Sequence, residues 1–225
     1  MQLQEAGHIV NIVARDFPSP SETVDGEAKI NYTSQWGGAH NRWVIPVNEM
    51  DRRDHEMAVE TFHRMKAMCK SSPEAGITFM RGIEYLEDPP PVYGELTEGS
   101  AKQLGIKGFK LLSKDQLPDK VAWGCEYQTW CVNPMVYCSY LLRRLIIGGC
   151  RVFQRELRSP LEVFAMDGFG HVQAVVNCSG AGFGDPNVFI TRGIVPPAYL
   201  RCVPRELTCR RQGKPVLSRT RARPQ

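Results

Sequence analysis

Residues 123–157 read WGCEYQTWCVNPMVYCSYLLRRLIIGGCRVFQREL, and this stretch decides the fold class. Its first ten residues are rich in aromatic side chains and predict an extended segment. Asn133 and Pro134 then give a helix cap followed by proline at the first helical position. The predicted helix ends at a pair of glycines, and residues 150–157 predict a strand. A helix between two short strands indicates an α/β protein whose sheets contain parallel members.

The alternation of helix and strand continues on both sides of this stretch. Residues 8–15 predict a strand, because apolar and polar positions alternate and β-branched side chains are frequent. A helix is predicted over about 47–69, and a strand over 77–87. Further along, residues 159–166 predict a turn with a short helix, and residues 172–180 predict another strand.

The helix predicted over 47–69 has an apolar face with members three or four residues apart. These members are Met57, Val59, Phe62, Met65 and Met68. Such a stripe is typical of core packing rather than of a cofactor site. His55 and His63 are predicted to be solvated or packed at the side of the helix, since no partner ligands accompany them.

The composition is that of an ordinary globular protein, with 42% hydrophobic and 23% charged residues in a chain of 225. No apolar run approaches the roughly 18 residues of a membrane span, and the first residues lack the basic region of a secretory signal. We therefore expect a soluble intracellular protein. The eight cysteines contain no Cys-x-x-Cys pair and the histidines add no paired ligands, so free thiols and no metal site are predicted.

The basic charge is concentrated in the last part of the chain. Residues 194–225 contain eight Lys or Arg and one acidic residue, in a chain whose net charge is +4. This part is rich in Pro and Arg and shows no periodicity, so we expect a disordered tail that is unrelated to residues 1–193. Its charge would permit nucleic-acid binding, but no folded motif or interleaved aromatic residues support that function.

Three short segments could face a nucleotide, and each has an ordinary alternative. Arg15 and Asp16 end the first predicted strand region, where dinucleotide-binding units use an acidic residue for the ribose, but many strands end in Asp for turn chemistry alone. Residues 31–40 contain glycines that could admit a phosphate or a flavin edge, or could form a surface loop. Residues 177–180 complete the last predicted strand, at the sheet edge where α/β folds bind ligands.

The order of the motifs is more informative than any single motif. VARDFP, YTSQWGGAH, SPEAGI, the stretch quoted first, VVNCSGAGFGD and ITRG follow one another within residues 1–193. In this order they resemble the D-amino-acid oxidase family, especially its fungal members. The resemblance implies an incomplete Rossmann-like FAD-binding sheet interleaved with part of a sheet-based substrate domain. It also implies that FAD and molecular oxygen convert D-amino acids to 2-oxo acids, ammonia and hydrogen peroxide.

The resemblance further implies cofactor contacts at particular positions. Arg15 and Asp16 match contacts to the adenosine ribose, and Leu157 matches a position whose backbone faces the adenine. Ser179 and Gly180 match positions that close the flavin site. The segment that lies along the FAD contains Thr33, Ser34, Gly38 and Ala39.

Some parts of the family pattern have no counterpart in this sequence. Gln35 and Gly37 replace the usual fungal Pro and Ala. No G-x-G-x-x-G precedes the first strand, and the Tyr and Arg residues that clamp the substrate carboxylate are missing, so no catalytic residue is assigned. We expect a partial chain with little oxidase activity, and the alternative is a non-catalytic remnant or binding module without flavin. The family is often peroxisomal, but this sequence ends Arg-Pro-Gln rather than in a Ser-Lys-Leu type signal, which leaves a peroxisomal or a cytoplasmic location open.

Overall fold

The computed structural model describes residues 1–19, 33–35, 37, 39–180, 182–184, 200–203 and 206–211. The strands in this part of the chain are β1 (Asn11–Ala14), β2 (Ala39–His40), β3 (Ile77–Leu86), β4 (Lys110–Leu111), β5 (Trp123–Val132), β6 (Arg151–Gln154), β7 (Leu200–Val203) and β8 (Glu206–Arg211). The helices are α1 (Gln2–Glu5), α2 (Glu49–Ser71), α3 (Pro91–Gly94), α4 (Glu98–Gln103) and α5 (Pro134–Ile147). Helices and strands with both parallel and antiparallel pairing confirm the predicted α/β class.

The chain divides into two compact units. The first takes its described residues from Met1–Trp36 and Cys138–Gly193, and the second takes them from Gly37–Tyr137 and Ile194–Val216. Segments of both units therefore alternate along the sequence. The assignment of these segments to a flavin-binding part and a substrate part stays a prediction.

The first unit is built on the parallel pair of β1 and β6. Its register places Asn11 opposite Arg151 and Ala14 opposite Gln154. The side chain of Gln4 on α1 donates hydrogen bonds to the carbonyl oxygens of Leu145 and Gly148, at 3.0 and 3.1 Å. Those carbonyls lie at the end of α5, where helical backbone oxygens lack partners within the helix, so α1 completes that end.

Helix α5 has the predicted bounds because its start and stop signals are local. The Asn133 side chain accepts a hydrogen bond of 3.1 Å from the backbone nitrogen of Met135, and proline occupies the first helical position. At the other end, Gly149 adopts a φ of +88°, which a glycine tolerates at a helix terminus.

The second unit contains a mixed sheet with the strand order β2-β5-β3-β8-β7, in which β3 is the middle strand and β4 also pairs with β5. All ten residues of β5 pair antiparallel with β3, from Trp123 opposite Leu86 to Val132 opposite Ile77. The other edge of β5 is shared by two short strands, β4 near its beginning and β2 at its end. On the far side of β3, β8 runs parallel to it and forms an antiparallel hairpin with β7.

Helix α2 packs aromatic and sulfur-containing side chains into the core of the second unit. Its first turn is capped by Asn48, whose side chain accepts a 2.9 Å hydrogen bond from the backbone nitrogen of Asp51. Phe62 is 1% exposed, and its ring centroid lies 5.3 Å from that of Trp43 and 5.3 Å from that of Phe79. These tilted and edge-on arrangements are the favoured geometries for aromatic pairs.

The structure corrects the prediction of a strand over residues 172–180. No strand is assigned there, and the side chain of Val176 is 70% exposed. An apolar run predicts only a tendency toward extended structure, and a strand also needs a neighbour with free backbone groups. Among the described residues, β1 pairs with β6 and with no third strand, so this run finds no such neighbour.

Two expectations for α2 also need correction. His55 is buried rather than solvated. Its Nε2 lies 2.7 Å from the Leu104 carbonyl oxygen, and its Nδ1 lies 3.2 Å from the Val44 carbonyl oxygen. These backbone partners are distant in the sequence and could not be read from the helical pattern. Met57 was expected on the core face but is 52% exposed, whereas Met65 is buried as expected.

The predicted disorder of residues 194–225 is wrong for the hairpin formed by β7 and β8. Glu206 pairs with Arg81 and Arg211 with Leu86, so the hairpin continues the sheet of the second unit. The alternation of apolar residues in LRCV and ELTCRR is too short to stand out in a segment rich in Pro and Arg. The domain boundary at residue 193 itself stays a prediction.

Candidate cofactor site

The carboxyl ends of β1 and β6 lie at the same edge of the first unit, because the two strands are parallel. The backbone nitrogen of Arg155 donates a 2.9 Å hydrogen bond to the carbonyl oxygen of Ala14. The side chain of Gln154 donates a 3.2 Å hydrogen bond to the carbonyl oxygen of Arg15. These bonds continue the pairing past the last strand residues and hold the two following segments together.

Three charged side chains meet at this edge. Arg15 Nε lies 2.8 Å from Asp16 Oδ2, and Arg15 Nη1 lies 3.6 Å from Glu156 Oε1. The hydrogen bond and the charge of Asp16, followed by the charge of Glu156, raise the pKa of the Arg15 guanidinium. The Asp16 carboxylate is 28% exposed, and its Oδ2 accepts a hydrogen bond from Arg15 that holds the side chain at the rim.

The structure therefore places three predicted contacts close together along one edge. Arg15 and Asp16 follow β1 directly, and Leu157 follows Glu156 on the other segment. Leu157 is partly buried. The carboxyl ends of parallel strands are where α/β folds bind ligands, and a carboxylate in this place accepts hydrogen bonds from ribose hydroxyl groups.

Two of the predicted contacts, Thr33 and Ser34, lie on a 3₁₀ turn that spans Thr33–Gln35. Ser34 is exposed, and its carbonyl oxygen accepts a 3.8 Å hydrogen bond from the Cys138 thiol of α5. Burial raises the pKa of Cys138, which keeps this thiol protonated and able to donate. Gln35 is 3% exposed, and its Nε2 donates a 2.9 Å hydrogen bond to the carbonyl oxygen of Ser19.

The remaining members of that segment are not brought to the turn by any described contact. Ala39 belongs to the second unit, where its backbone pairs with Val132 in β2 and β5. Gly38 lies outside the described residues.

Ser179 and Gly180 form an exposed turn in the first unit. The Asn177 side chain accepts hydrogen bonds of 3.0 Å from the backbone nitrogen and 2.7 Å from the hydroxyl group of Ser179. Gly180 has a φ of +64°, which favours glycine. Within the described ranges this turn shows no hydrogen bond to the edge beside Asp16, so its role in a flavin site stays a prediction.

The side chains of the first unit fit an FAD molecule in two respects. The edge of β1 and β6 supplies a fixed carboxylate that can accept hydrogen bonds from ribose hydroxyl groups. The buried Oε1 of Gln35 has no donor among the described residues, and a ligand with N–H or O–H groups would supply one. Both features are acceptors, which suits the hydroxyl groups of the ribose and the ribityl chain of FAD.

The second unit contains a buried polar cluster that sequence reasoning missed. Arg42 Nε donates a 2.6 Å hydrogen bond to Glu84 Oε1, and the side chain of Glu84 is 3% exposed. The hydroxyl group of Tyr127 donates a 3.3 Å bond to Glu84 Oε2, and Arg42 Nη2 lies 3.5 Å from the Tyr93 hydroxyl oxygen. Burial lowers the pKa of Arg42, but the charge and hydrogen bond of Glu84 outweigh it, so the pKa is raised.

His40 of β2 lies beside this cluster. Burial lowers its pKa, the positive charge of Arg42 lowers it further, and Glu84 partly opposes them. A small recess next to the cluster is lined by aromatic and apolar side chains, with Glu84 as its charged member. The sequence signal for this cluster is weak, because Glu84 is one of three charged residues in the stretch ITFMRGIEYLE, together with Arg81 and Glu87.

The described residues contain neither a metal site nor a membrane-spanning helix. No group of three or more His, Cys, Asp or Glu is arranged to hold a metal ion there. No helix in that part of the chain is both long and apolar enough to cross a membrane.

Comparison with known proteins finds relatives among oxidases of D-amino acids. A D-aspartate oxidase of Talaromyces thermophilus is 39% identical over 189 residues, which cover 82% of this chain and 51% of the relative. A D-amino-acid oxidase of Schizosaccharomyces pombe is 26% identical over 175 residues, 75% of this chain and 48% of the relative. A D-amino-acid oxidase of Fusarium vanettenii is 24% identical over 190 residues, with coverages of 78% and 48%. The chain thus spans about half the length of the curated relatives it matches.

The family match covers nearly the whole chain. Residues 1–219 match the family described as DAO, FAD dependent oxidoreductase. The match continues past the boundary predicted at residue 193 and includes the hairpin of β7 and β8. The edge of β1 and β6, with the Asp16 carboxylate beside it, lies where α/β folds bind ligands. The chain therefore belongs to the family of FAD-dependent oxidoreductases.

Proposed function

We propose that this chain serves the FAD-dependent oxidative deamination of D-amino acids to 2-oxo acids, ammonia and hydrogen peroxide. The observation that carries the proposal is the shared edge of β1 and β6, where Asp16 stands beside Arg15 and Glu156. The family match over residues 1–219 supports FAD as the dinucleotide at this edge.

We further propose an acidic D-amino acid, with D-aspartate as the first compound to test. The support is the 39% identity to a protein named D-aspartate oxidase, compared with 26% and 24% to two D-amino-acid oxidases. An acidic substrate would carry a second carboxylate, which calls for a cation or several N–H donors in the substrate pocket.

The residues of the first unit would bind and orient the cofactor rather than react. When bound, FAD accepts the α-hydrogen of the amino acid as hydride and passes the two electrons to molecular oxygen. The Asp16 carboxylate would accept hydrogen bonds from the ribose, while the hydrogen bond from Arg15 holds that carboxylate in place. The backbone at Leu157 would border the adenine, and Ser34 would lie along the dinucleotide.

The proposal is tested by adding FAD to the purified chain. We expect quenching of free flavin fluorescence, a visible flavin band that remains with the protein after gel filtration, and weak catalase-sensitive peroxide formation from D-aspartate but not from L-aspartate. D-alanine serves as the neutral comparison. Bound flavin with no peroxide from either D-amino acid would leave a flavin-binding module, and no bound flavin at all would overturn the proposal.

A further inference from the structure

The side-chain amide of buried Gln35 has a hydrogen-bond partner for its nitrogen but, within the described part of the chain, none for its oxygen. Its Nε2 donates to the Ser19 carbonyl oxygen at 2.9 Å, while Oε1 is buried without a donor among the described residues. The residue is 3% exposed, so water reaches it poorly. Leaving a buried carbonyl oxygen unpaired costs about 1–3 kcal/mol, and such atoms are rare in native proteins.

Turning the amide over does not remove the unpaired atom. Ser19 offers a carbonyl oxygen, which only accepts hydrogen bonds, so the NH₂ group of Gln35 has to face it. The amide oxygen is therefore held on the other side of the side chain. A donor has to come to this oxygen, since the side chain cannot turn toward one without losing its bond to Ser19.

The position of Gln35 connects two segments of the candidate cofactor site. Ser19 lies three residues after Asp16, at the end of the segment that leaves β1. Ser34, next to Gln35, is bound to α5 through the Cys138 thiol. The unpaired oxygen thus lies in the same unit as the edge of β1 and β6. Its turn is hydrogen-bonded, through Nε2 of Gln35, to the segment that follows β1.

We propose that Oε1 of Gln35 accepts a hydrogen bond from a hydroxyl or N–H group of bound FAD. This inference rests on the proposed function, because it takes FAD as the ligand of the first unit. FAD carries hydroxyl groups on its sugar and ribityl parts and N–H groups on both ring systems, so donors are available along its length. Gln35 then has two separate tasks, with Nε2 fixing the turn and Oε1 binding the cofactor.

The test compares two variants of Gln35 that both lose the Nε2 donor, of which only one keeps acceptor oxygens. Gln35→Met keeps the length of the side chain but removes both the donor and the acceptor. Gln35→Glu removes the Nε2 donor and keeps acceptor oxygens. Each variant is titrated with FAD by fluorescence quenching, and the thermal midpoint of the flavin-free protein is measured in parallel. Gln103→Met, on the exposed side of α4, is the matched control.

We expect Gln35→Met to weaken FAD binding about tenfold, the loss of roughly one hydrogen bond. Gln35→Glu should bind FAD more tightly than Gln35→Met, even though a carboxylate facing the Ser19 carbonyl makes its flavin-free form less stable. Gln103→Met should bind like the wild type. If Gln35 only holds the turn, Gln35→Glu will bind no better than Gln35→Met, and the inference is wrong.

The wild-type titration separates this inference from the function on which it rests. If the wild type binds FAD and Gln35→Met binds equally well, the hydrogen bond is refuted and the proposed function stands. If the wild type binds no FAD, both fail together.

Discussion

At the scale of single residues, the strongest constraint is the charge of Glu84 inside the second unit. Its carboxylate is almost fully buried and receives hydrogen bonds from Arg42 and Tyr127. A buried ion pair adds little net stability relative to apolar residues, but removing one member leaves the other charged and unpaired. Replacing one member of the pair should therefore destabilise the fold far more than replacing both members together.

We predict that Glu84→Leu lowers the free energy of unfolding by about 3–5 kcal/mol, since it leaves Arg42 uncompensated. Urea denaturation followed by tryptophan fluorescence measures this loss. The double variant Glu84→Leu with Arg42→Met should regain much of it. Glu60→Ala, which breaks the exposed pair of Glu60 and Arg64, should cost about 0.5 kcal/mol or less, and a similar value for Glu84→Leu would contradict the prediction.

His40 gives the second unit a pH dependence whose sign follows from its neighbours. Burial and the charge of Arg42 lower the pKa of His40 in the folded chain. The unfolded chain then binds more protons below the ordinary histidine value of about 6.5, so stability is present above that pH and declines as the pH falls toward the folded value.

We predict that His40→Gln reduces the loss of stability between about pH 7 and pH 5.5, because it removes a group that protonates more readily when unfolded. Urea midpoints at several pH values give the slope. His63→Gln, at an exposed position of α2, should leave the slope as in the wild type. Equal slopes for the wild type and His40→Gln would show that His40 does not contribute.

Asp16 is the residue on which the proposed cofactor site depends most directly. We predict that Asp16→Ala weakens FAD binding tenfold or more, roughly the effect of losing a hydrogen bond to a charged acceptor. Asp16→Asn keeps an acceptor oxygen and should fall between alanine and the wild type in a fluorescence titration. Asp54→Ala, on the exposed face of α2, is the control. Unchanged affinity in Asp16→Ala would remove Asp16 from the site.

At the scale of elements, Gly76 joins the end of α2 to the start of β3. Its φ of +69° lies in the left-handed region, and a Cβ there would come within 2.9 Å of Val136 Cγ1 on α5. Its carbonyl oxygen also accepts a 3.1 Å hydrogen bond from the backbone nitrogen of Asn133. Conformation, packing and hydrogen bonding at the junction thus all depend on one residue without a side chain.

We predict that Gly76→Ala destabilises the chain by about 2 kcal/mol, from the left-handed backbone conformation together with the contact to Val136. Thermal unfolding measures the change. Adding Val136→Ala should relieve the contact but not the backbone strain, so the double variant should still unfold more easily than Val136→Ala alone. Gly94→Ala, where nothing lies within 4 Å of the added Cβ, should have little effect.

Elements with local signals could be predicted from the sequence, and elements that depend on distant partners could not. Helix α5 follows from the Asn-Pro start and the two glycines at its end, all within its own stretch. The run over residues 172–180 has the right composition for a strand but no partner strand in the described part of the chain. The hairpin of β7 and β8 is stabilised by β3, more than a hundred residues earlier, so its own composition was misleading.

The same distinction applies to the candidate site. Arg15, Asp16 and Leu157 were predicted together, because the end of a strand can be read locally and the order of the motifs supplied the rest. The orphaned oxygen of Gln35 depends on which residues fail to reach it, and that cannot be read from a pattern. Arg42 and Glu84 are 42 residues apart, and neither position marks the other in the sequence.

At the scale of the whole molecule, the two units have different resistance to local opening. β3 and β5 are paired along ten residues and contain many buried side chains, whereas β1 and β6 pair along four residues, none of which is fully buried. An isolated two-stranded arrangement is marginally stable, and local opening follows the lack of buried contacts.

We predict that amide hydrogen exchange is slowest in β3 and β5 and much faster in β1 and β6. Adding FAD should slow exchange in residues 11–19 and 151–157 and leave β3 and β5 unchanged, since the proposed cofactor site lies on the first unit. Mass spectrometry of the exchanged peptides measures both effects. Uniform protection across the two units, or no response to FAD near Asp16, would contradict this prediction.

The pairing of Asn11 with Arg151 also means that β1 and β6 cannot pair until most of the chain has been synthesised. These partners are 140 positions apart, so β1 leaves the ribosome long before β6 exists. At about 5–20 residues per second, the wait is roughly seven to thirty seconds. During that interval the backbone groups of β1 lack their native partner, and a nascent-chain chaperone that binds the first twenty residues would protect the edge on which the cofactor site is later assembled.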